Sequence, residues 1–334
     1  MIQNIYSGSI MKRKIFIFLI VVTVFLFTVM PTVVSEGAKE GLLLWFMAIV
    51  PSLFPFMILS NILIKLKVTK YINRILKPVF GFLFGIREDG SYPVLIGFLA
   101  GCPIGAKSVA QLYKNGELKK SESQYLITFC NNLSPMFLIE FIGVKCLGVK
   151  EPVLIFGVVV TSALINAFFY RIVNSLKKTV DIDIENKNNI KDKQLESDRN
   201  YPIMDAVDES IADSCETILK IGGYIILFSI ITSIIEYMIP QKYSFVGCVL
   251  AGVFEVSTGA MQLAENDILS EISFFMTDVK IILTIWFCAF GGISSVAQTY
   301  SVLSGTDLSI KKYVAAKIRQ GFIAVILALL VFRI

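Results

Sequence analysis

Apolar residues in this chain come in long runs separated by short polar stretches. Five runs approach the ~20 apolar residues that a helix needs to cross the hydrocarbon core of a bilayer. They are 15–34, 41–64, 153–172, 221–239 and 313–332. Three further runs are long enough but are interrupted by Gly, Pro, Asn or Ser: 92–113, 125–144 and 279–303. Two more, 78–86 and 245–262, are short. The pattern predicts an all-α, polytopic membrane bundle with re-entrant or broken helices.

Composition supports a membrane protein. Of the 334 residues, 55% are hydrophobic and 17% charged, against about 25% charged in a typical soluble domain. The first run follows Lys12, Arg13 and Lys14 but exceeds the usual 7 to 15 residues of a signal peptide and lacks a clean small-x-small cleavage site. We therefore expect an uncleaved anchor and an integral protein of the cell membrane.

One long hydrophilic stretch divides the chain into two membrane halves. Residues 176–205 alternate Lys and Arg with Asp and Glu and contain few apolar residues, which is typical of a solvated linker. The predicted organisation is an anchor helix over 1–36, a first membrane repeat over 37–175, a cytoplasmic linker over 176–205 and a second repeat over 206–334.

The stretch "GCPIGAKSVAQLY" (101–113) follows an apolar run directly, although it contains loop-forming residues and a lysine. Basic residues mark cytoplasmic loops, and they occur both before the run, at 65–77, and after it, at 114–120. A single crossing would leave the second cluster outside. We therefore predict a re-entrant hairpin with limbs 92–101 and 104–113, whose tip needs a buried or watery setting because its backbone groups need partners.

Two features of this hairpin also have structural explanations. Gly97, Gly101 and Gly105 recur every four residues, as in close helix packing. Lys107 is an intramembrane charge, which is by default a functional hypothesis, but it could instead form a structural pair with Glu140 or Glu255.

A near copy of the stretch lies in the second half. "SVAQLY" (108–113) recurs as "SVAQTY" (295–300), each after a glycine-bearing apolar run. About fifty residues before each copy lies a span, 40–64 or 216–235, that starts near an acid and a glycine. Counting spans gives the two halves opposite orientations, so the sequence predicts an inverted repeat, the architecture of many secondary transporters. Lys311 and Lys312 leave the orientation of the second half open.

Polar residues cluster at the helix breaks, where a substrate site would need them. Asn131, Asn132 and Ser134 interrupt one span, and Glu255, Ser257 and Thr258 precede Gly259. Any one of these could equally be polar contact between helices. The complete candidate substrate-binding set is Gly101, Pro103, Gly105, Lys107, Ser108, Gln111, Asn131, Asn132, Ser134, Glu255, Ser257, Ser294, Ser295 and Gln298.

The residue types favour an anionic ligand and exclude several activities. A lysine, helix N-termini, amides and hydroxyls suit a carboxylate with several acceptors, whereas a nucleoside would use the amides and Glu255. The chain has no histidine, which excludes H-E-x-x-H zinc proteases, Ser-His proteases and histidine-ligated haem. No P-loop is present, and six scattered cysteines lack metal-site spacing. We expect no enzyme activity, cofactor, metal or nucleic-acid partner, and the oligomeric state stays open.

These motifs resemble a known family. The segments "AIVPSLFPFMILSNIL", "GFLAGCPIGAKSVAQLY", "CNNLSPMFLI" and "GGISSVAQ" resemble the YlbJ (SpoVV) family of sporulation integral membrane proteins, which carries the nucleoside recognition or Gate domain. The resemblance covers about 37–333. It implies transport of dipicolinic acid, a small aromatic dicarboxylate, from the mother cell across the outer forespore membrane.

The working hypothesis is a transporter of such a dicarboxylate, with the hairpin tip and Lys107 holding one carboxylate. Asn131, Asn132 and Ser134, or the second copy's Ser294, Ser295 and Gln298, would hold the other side. The alternatives are a transporter for nucleosides or another small solute, and a sporulation scaffold that recruits partners through the linker. An intramembrane enzyme using Asp278 and Glu255 is disfavoured because no G-x-G-D motif is present.

Overall fold

The computed structural model describes residues 17–18, 20–86, 88–177, 202–265, 273–274 and 277–332. Most of the predicted linker therefore lies outside the described residues. Within them the regular secondary structure is helical apart from a two-residue antiparallel pairing of Ser273–Phe274 with Thr277–Asp278, so the predicted all-α class is confirmed.

The helices are α1 (Ile20–Val29), α2 (Pro31–Leu44), α3 (Val50–Lys65), α4 (Thr69–Phe84), α5 (Ser91–Leu99), α6 (Ile104–Lys114), α7 (Lys120–Ile127), α8 (Val153–Lys177), α9 (Ile203–Met238), α10 (Ser244–Phe254), α11 (Val256–Glu265), α12 (Val279–Phe290), α13 (Gly292–Val302) and α14 (Ile310–Val331). Trp45–Ile49 and Phe137–Cys146 are π-helical, and Glu88–Gly90 and Gln241–Tyr243 form 3₁₀ turns.

Five helical stretches in the described chain are long and apolar enough to cross a membrane. They are Pro31–Lys65, Val153–Val173, Ile203–Met238, Val279–Val302 and Ile310–Val331. Many large apolar side chains on the outside of the bundle are exposed, as lipid-facing positions would be. The chain is an integral membrane protein.

The structure corrects the expected boundary between the first two runs. The separate apolar runs 15–34 and 41–64 predict an interruption between them, but the helix continues without a break from Pro31 to Lys65. The interruption lies at Met30, whose φ of −123° and ψ of 54° are not helical. A residue before proline is disfavoured in the α region, and proline is well suited to the first helical turn.

The first spanning helix packs along α9 in the opposite direction. The indole nitrogen of Trp45 donates to the Ile218 carbonyl at 3.0 Å, and the Asn61 amide donates to Ser214 Oγ at 3.0 Å. Because the residue numbers rise on one helix and fall on the other, the two helices are antiparallel. The two longest spans thus join the two halves of the chain.

Two hairpins of short helices lie against these spans. In the first, α5 and α6 approach so closely that a Cβ on Gly105 would lie 2.9 Å from the Gly97 Cα. The predicted hairpin is therefore present, and the glycine-packing interpretation holds as well. The short run at 245–262 forms a second hairpin, α10 and α11, where Gly252 and Gly259 touch.

Each hairpin is crossed by a broken helix. The first break covers residues 128–134, between α7 and the π-helical segment, and the second separates α12 from α13 at Gly291 and Gly292. The Cys130 carbonyl packs on both glycines of the first hairpin, and the Phe287 ring packs on Gly252 of the second. The copies "SVAQLY" and "SVAQTY" lie on different kinds of element, a hairpin limb and the second part of a broken helix.

Contacts between charged residues show that several segments lie at the same end of the bundle. Lys65 pairs with Asp213 at 3.1 Å, and Asp213 lines one cleft together with Lys114. Lys120 pairs with Asp307 at 2.7 Å, just before α14. We call this the basic end. The first spanning helix ends there, whereas α9 and α14 begin there, as an inverted repeat requires; the repeat itself remains a prediction.

Candidate functional site

The two hairpin tips and the two helix breaks meet at one small cavity of about 50 Å³, here called the central cavity. Each of these four features contributes lining residues, and so do the first spanning helix and α9. The lining residues are Ile49, Ser52, Leu53, Cys102, Leu133, Ser134, Phe137, Ile221, Ile225, Glu255, Val256, Ser257, Gly291, Ser295 and Gln298.

The first hairpin tip is fixed to the first break by backbone contacts. Gly101 has a φ of +88°, and a Cβ there would lie 2.6 Å from the Ser134 nitrogen. The Cys102 amide donates to the Asn132 carbonyl at 2.5 Å, and the Cys102 thiol lies 3.0 Å from Ser295 Oγ. Only glycine combines this conformation with this close approach. The tip, with Pro103 buried beside it, therefore connects both breaks.

Asn131 faces protein rather than the central cavity. Its amide nitrogen donates to Thr299 Oγ1 at 2.9 Å and to the Tyr313 hydroxyl at 3.0 Å. Its oxygen accepts from the Ala106 amide at 3.3 Å, near the start of α6. Asn131 therefore positions the hairpin limb against α13 and α14.

Asn132 belongs to a buried polar group around Lys317, which we call the lysine cluster (Asn132, Lys317 and Gln320). The Lys317 ammonium donates to Asn132 Oδ1 at 3.1 Å and to Gln320 Oε1 at 2.8 Å. Gln320 donates to the same Asn132 oxygen at 2.8 Å. Lys317 is only 2% exposed, and among the described residues no carboxylate pairs with it. Burying an unpaired charge is costly, so the cluster is a functional candidate.

The sequence contains a signal for Lys317, although this residue is absent from the predicted substrate-binding set. Lys317, Arg319 and Gln320 interrupt the otherwise apolar run 313–332. Arg319 donates to Asn166 Oδ1 at 2.7 Å, and Gln320 also contacts Ser162 Oγ at 3.4 Å on α8. The polar positions of this run are thus all used in contacts with neighbouring helices.

Glu255 lies at the tip of the second hairpin and in the wall of the central cavity. Its carboxylate accepts from the Thr258 amide at 2.8 Å and from the Thr258 and Ser257 hydroxyls at 3.1 and 3.3 Å. This is the arrangement of a helix N-cap, in which a side-chain oxygen accepts an amide that lacks an intrahelical partner. Glu255 therefore stabilises the start of α11 and also places an acid beside the cavity.

Lys107 lines a separate, more open cleft of about 260 Å³ at the basic end. Its ammonium donates to Thr217 Oγ1 at 2.8 Å and to the Asp213 carbonyl at 3.4 Å. In the described chain it contacts neither Glu140 nor Glu255, so the structural pairs considered from the sequence are not formed. Ile221 and Gln298 line both the cleft and the central cavity. The cleft therefore adjoins the cavity, with Ile221 and Gln298 between them.

The remaining predicted residues are divided between the cleft and the packed interior. Gln111 lines the cleft and donates to Asn61 Oδ1 at 3.4 Å, while its own buried oxygen has no hydrogen-bond partner among the described residues. Ser108 lies 3.4 Å from Ser60 Oγ. Ser294 accepts from Gln298 at 3.2 Å and is buried behind the cavity wall.

The arrangement describes a small site. A cavity of about 50 Å³ has room for a few waters, each of which needs ~10–15 Å³ of such space. Three helix N-termini, those of α6, α11 and α13, begin at its wall, and helix N-termini favour anions. Any larger solute requires the hairpins to separate from the breaks.

Comparison with known proteins supports the resemblance inferred from the motifs. Residues 46–150 match the Gate family model, described as nucleoside recognition. The chain is also 26% identical over 333 residues, covering 91% of this chain and 78% of the other, to the sporulation integral membrane protein YlbJ of Bacillus subtilis (strain 168). No solved structure matches the chain. The Gate match includes the first hairpin and the first break.

Proposed function

We propose that the chain is a membrane transporter of a small aromatic dicarboxylate, dipicolinic acid, needed for spore formation. It would move this substrate from the mother cell toward the forespore, across the outer forespore membrane. One observation carries the proposal: two hairpin tips and two helix breaks converge on the central cavity between the halves of the chain. The similarity to the sporulation protein of Bacillus subtilis supports the physiological setting. No catalytic step, cofactor or metal is part of it.

Transport is favoured because discontinuous helices are costly in lipid. Their free backbone groups need partners at membrane depth, so such breaks occur where the chain lines a cavity or is buried in protein. Transporters use these breaks to bind solutes between repeats. Here a cleft at the basic end shares Gln298 and Ile221 with the cavity, so movement of these two side chains would open a route from one side.

Two lysines support an anionic substrate. Lys317 lies behind the cavity wall, joined to it through Asn132, whose carbonyl accepts from the tip residue Cys102. Lys107 lines the entry cleft. A positive charge in a dry interior is felt strongly because little water screens it. The Lys317 ammonium would favour a carboxylate bound in the cavity. The Lys107 ammonium would favour entry of the anion into the cleft.

A nucleoside is the second candidate, and the cavity wall itself favours it. Glu255, Gln298 and Ser295 supply a carboxylate, an amide and a hydroxyl, whereas neither lysine lines the cavity. Such groups suit the hydroxyls and ring edges of a neutral solute. The match to a family described as nucleoside recognition points the same way.

Uptake into vesicles tests the proposal. Purified full-length protein in proteoliposomes should accumulate labelled dipicolinate, and Lys107→Ala should abolish uptake while the protein still inserts. Lys312→Ala, an exposed lysine at the same end, is the control and should transport normally. Unchanged dipicolinate uptake by the Lys107 variant would remove the role given to this lysine, and uptake of nucleosides alone would favour the second candidate.

A further inference from the structure

Helix α4 has an exposed apolar face that no described part of the chain covers. Tyr71, Ile75, Val79 and Phe82 are 72%, 75%, 53% and 86% exposed. Spacings of three and four residues place them in one stripe along the helix. A stripe of this size on a soluble surface would be unusual, so something apolar must cover it.

A basic stripe lies directly beside the apolar one. Lys70 and Arg74 are exposed, and each precedes a member of the apolar stripe by one position, which is about 100° around the helix. Neither side chain forms a salt bridge with a described residue. The third side of the helix faces the protein, with Asn73 and Phe84 buried. The helix is amphipathic with a cationic edge, the pattern of helices that lie in a membrane interface.

The position of α4 in the bundle favours lipid over another protein as its cover. Only residues 66–68 separate it from the end of the first spanning helix. Outward-facing side chains of that spanning helix are also exposed, among them Leu59 at 56% and Phe56 at 40%, so the apolar surface continues from one helix to the other. At 16 residues α4 is too short to span the ~30 Å core comfortably, and it lies at the basic end, where headgroups begin.

The helix is also tied to the first hairpin. Asn73 Oδ1 accepts from the Tyr92 amide at 2.6 Å, at the first turn of α5, where backbone amides lack intrahelical partners. The Tyr92 hydroxyl donates to Ser60 Oγ at 2.8 Å on the spanning helix. Asn73 and Tyr92 are each 1% exposed. Any displacement of α4 in the membrane therefore reaches the base of the hairpin.

We propose that α4 lies in the headgroup layer at the basic end, with its apolar stripe in the acyl boundary and Lys70 and Arg74 bound to the phosphates of anionic lipids. The bound lipid holds α4 at a fixed depth, and the Asn73–Tyr92 bond passes this constraint to the first hairpin. This inference concerns a lipid site and does not depend on which solute is transported.

Depth-dependent quenching tests the proposal with the full-length protein in vesicles. A tryptophan is introduced by Tyr71→Trp, or by Ile75→Trp should the first variant fold poorly. The signal is the difference from the parent protein, which contains Trp45 and Trp286. Vesicles contain phosphatidylcholine and phosphatidylglycerol at the same ratio throughout, with bromine on the acyl chains of one lipid or the other.

The added tryptophan should be quenched by both lipids, and more strongly by brominated phosphatidylglycerol. About a five-fold enrichment of anionic lipid is expected for each basic residue. Lys70→Gln/Arg74→Gln should abolish the preference but keep the quenching. The control Lys311→Gln/Lys312→Gln, which removes two exposed charges at the same end, should keep both. Absent quenching, as for a face covered by a second copy, or equal quenching by the two lipids in the tryptophan variant that keeps Lys70 and Arg74 would overturn the proposal.

Discussion

Lys317 and Asn132 form a buried hydrogen bond of 3.1 Å that joins the last helix to the first helix break. The same Asn132 accepts from the Cys102 amide through its carbonyl. The Lys317 amino group thus lies one residue behind the wall of the central cavity. Lys107 lies in the entry cleft. The proposal of an anion inside the cavity therefore depends on Lys317 and its bond to Asn132.

Replacing this charge should weaken anion binding selectively. Lys317→Gln keeps an amide donor for Asn132 Oδ1 but removes the charge, so dipicolinate should bind on the order of 10-fold more weakly. The melting temperature of the variant should stay close to that of the parent, because the bond to Asn132 is kept. Titration calorimetry with dipicolinate measures the first effect, and a melting curve measures the second. Unchanged dipicolinate binding, or weaker binding together with a large fall in melting temperature, would indicate a structural role for Lys317 only.

Glu255 separates the two candidate substrates. Glu255→Gln keeps an oxygen that can accept the Thr258 amide, so the fold should persist. For a dianionic substrate, removing a negative charge from the cavity wall should strengthen binding, whereas a nucleoside that uses the carboxylate should be lost. Glu255→Ala removes the cap and should lower stability by about 1 kcal/mol. A melting curve of each purified variant, beside the binding data, distinguishes the two effects.

The glycine contact in the first hairpin should tolerate no side chain. Gly105→Ala places a methyl group against the Cys130 carbonyl, and overpacking costs ~1–3 kcal/mol. Gly157→Ala is the matched control, because nothing lies within 4 Å of a Cβ at Gly157 in α8, and helix propensity alone should make it neutral or stabilising. Melting temperatures should fall for the first variant only; a fall of similar size in both would contradict the close contact.

Much of this architecture could be predicted from the sequence because lipid limits the choices. Backbone groups in a bilayer must be paired, so long apolar runs become helices and Gly–Pro interruptions become breaks. The first hairpin followed from two basic clusters that had to share one side. The second hairpin was missed because 245–262 has the length and hydropathy of a poor single span, and only the Gly252–Gly259 contact reveals its turn.

The site was harder to predict than the fold. Helix breaks identified the correct regions, but side-chain direction depends on tertiary packing. Asn131 bonds to Thr299 and Tyr313, and Ser294 accepts from Gln298 without itself lining the cavity, although both lie at breaks. Lys317 is absent from the predicted substrate-binding set because it lies in an apolar run with the length and hydropathy of a simple membrane span. Periodicity locates a residue on a helix, whereas its partners come from distant parts of the chain.

The contact of Lys120 and Tyr113 with Asp307 at the basic end should make the thermal stability fall at low pH. The ammonium of Lys120 and the hydroxyl of Tyr113 donate to Asp307 and lower the pKa of its carboxyl. A group whose pKa is lowered on folding stabilises the protein above its unfolded pKa, near 4, and this contribution is lost as pH falls through the folded value. Asp307→Asn should remove that part of the acid dependence. Melting temperatures between about pH 3 and pH 6 measure it, and superimposable profiles for parent and variant would contradict the contact.

Direct binding to the purified, full-length protein tests the central claim most directly. Dipicolinate and a nucleoside are titrated separately into the same preparation, and heat or intrinsic fluorescence is recorded. We expect saturable binding of dipicolinate and none of the nucleoside at comparable concentrations. Saturable nucleoside binding with no response to dipicolinate would contradict the account.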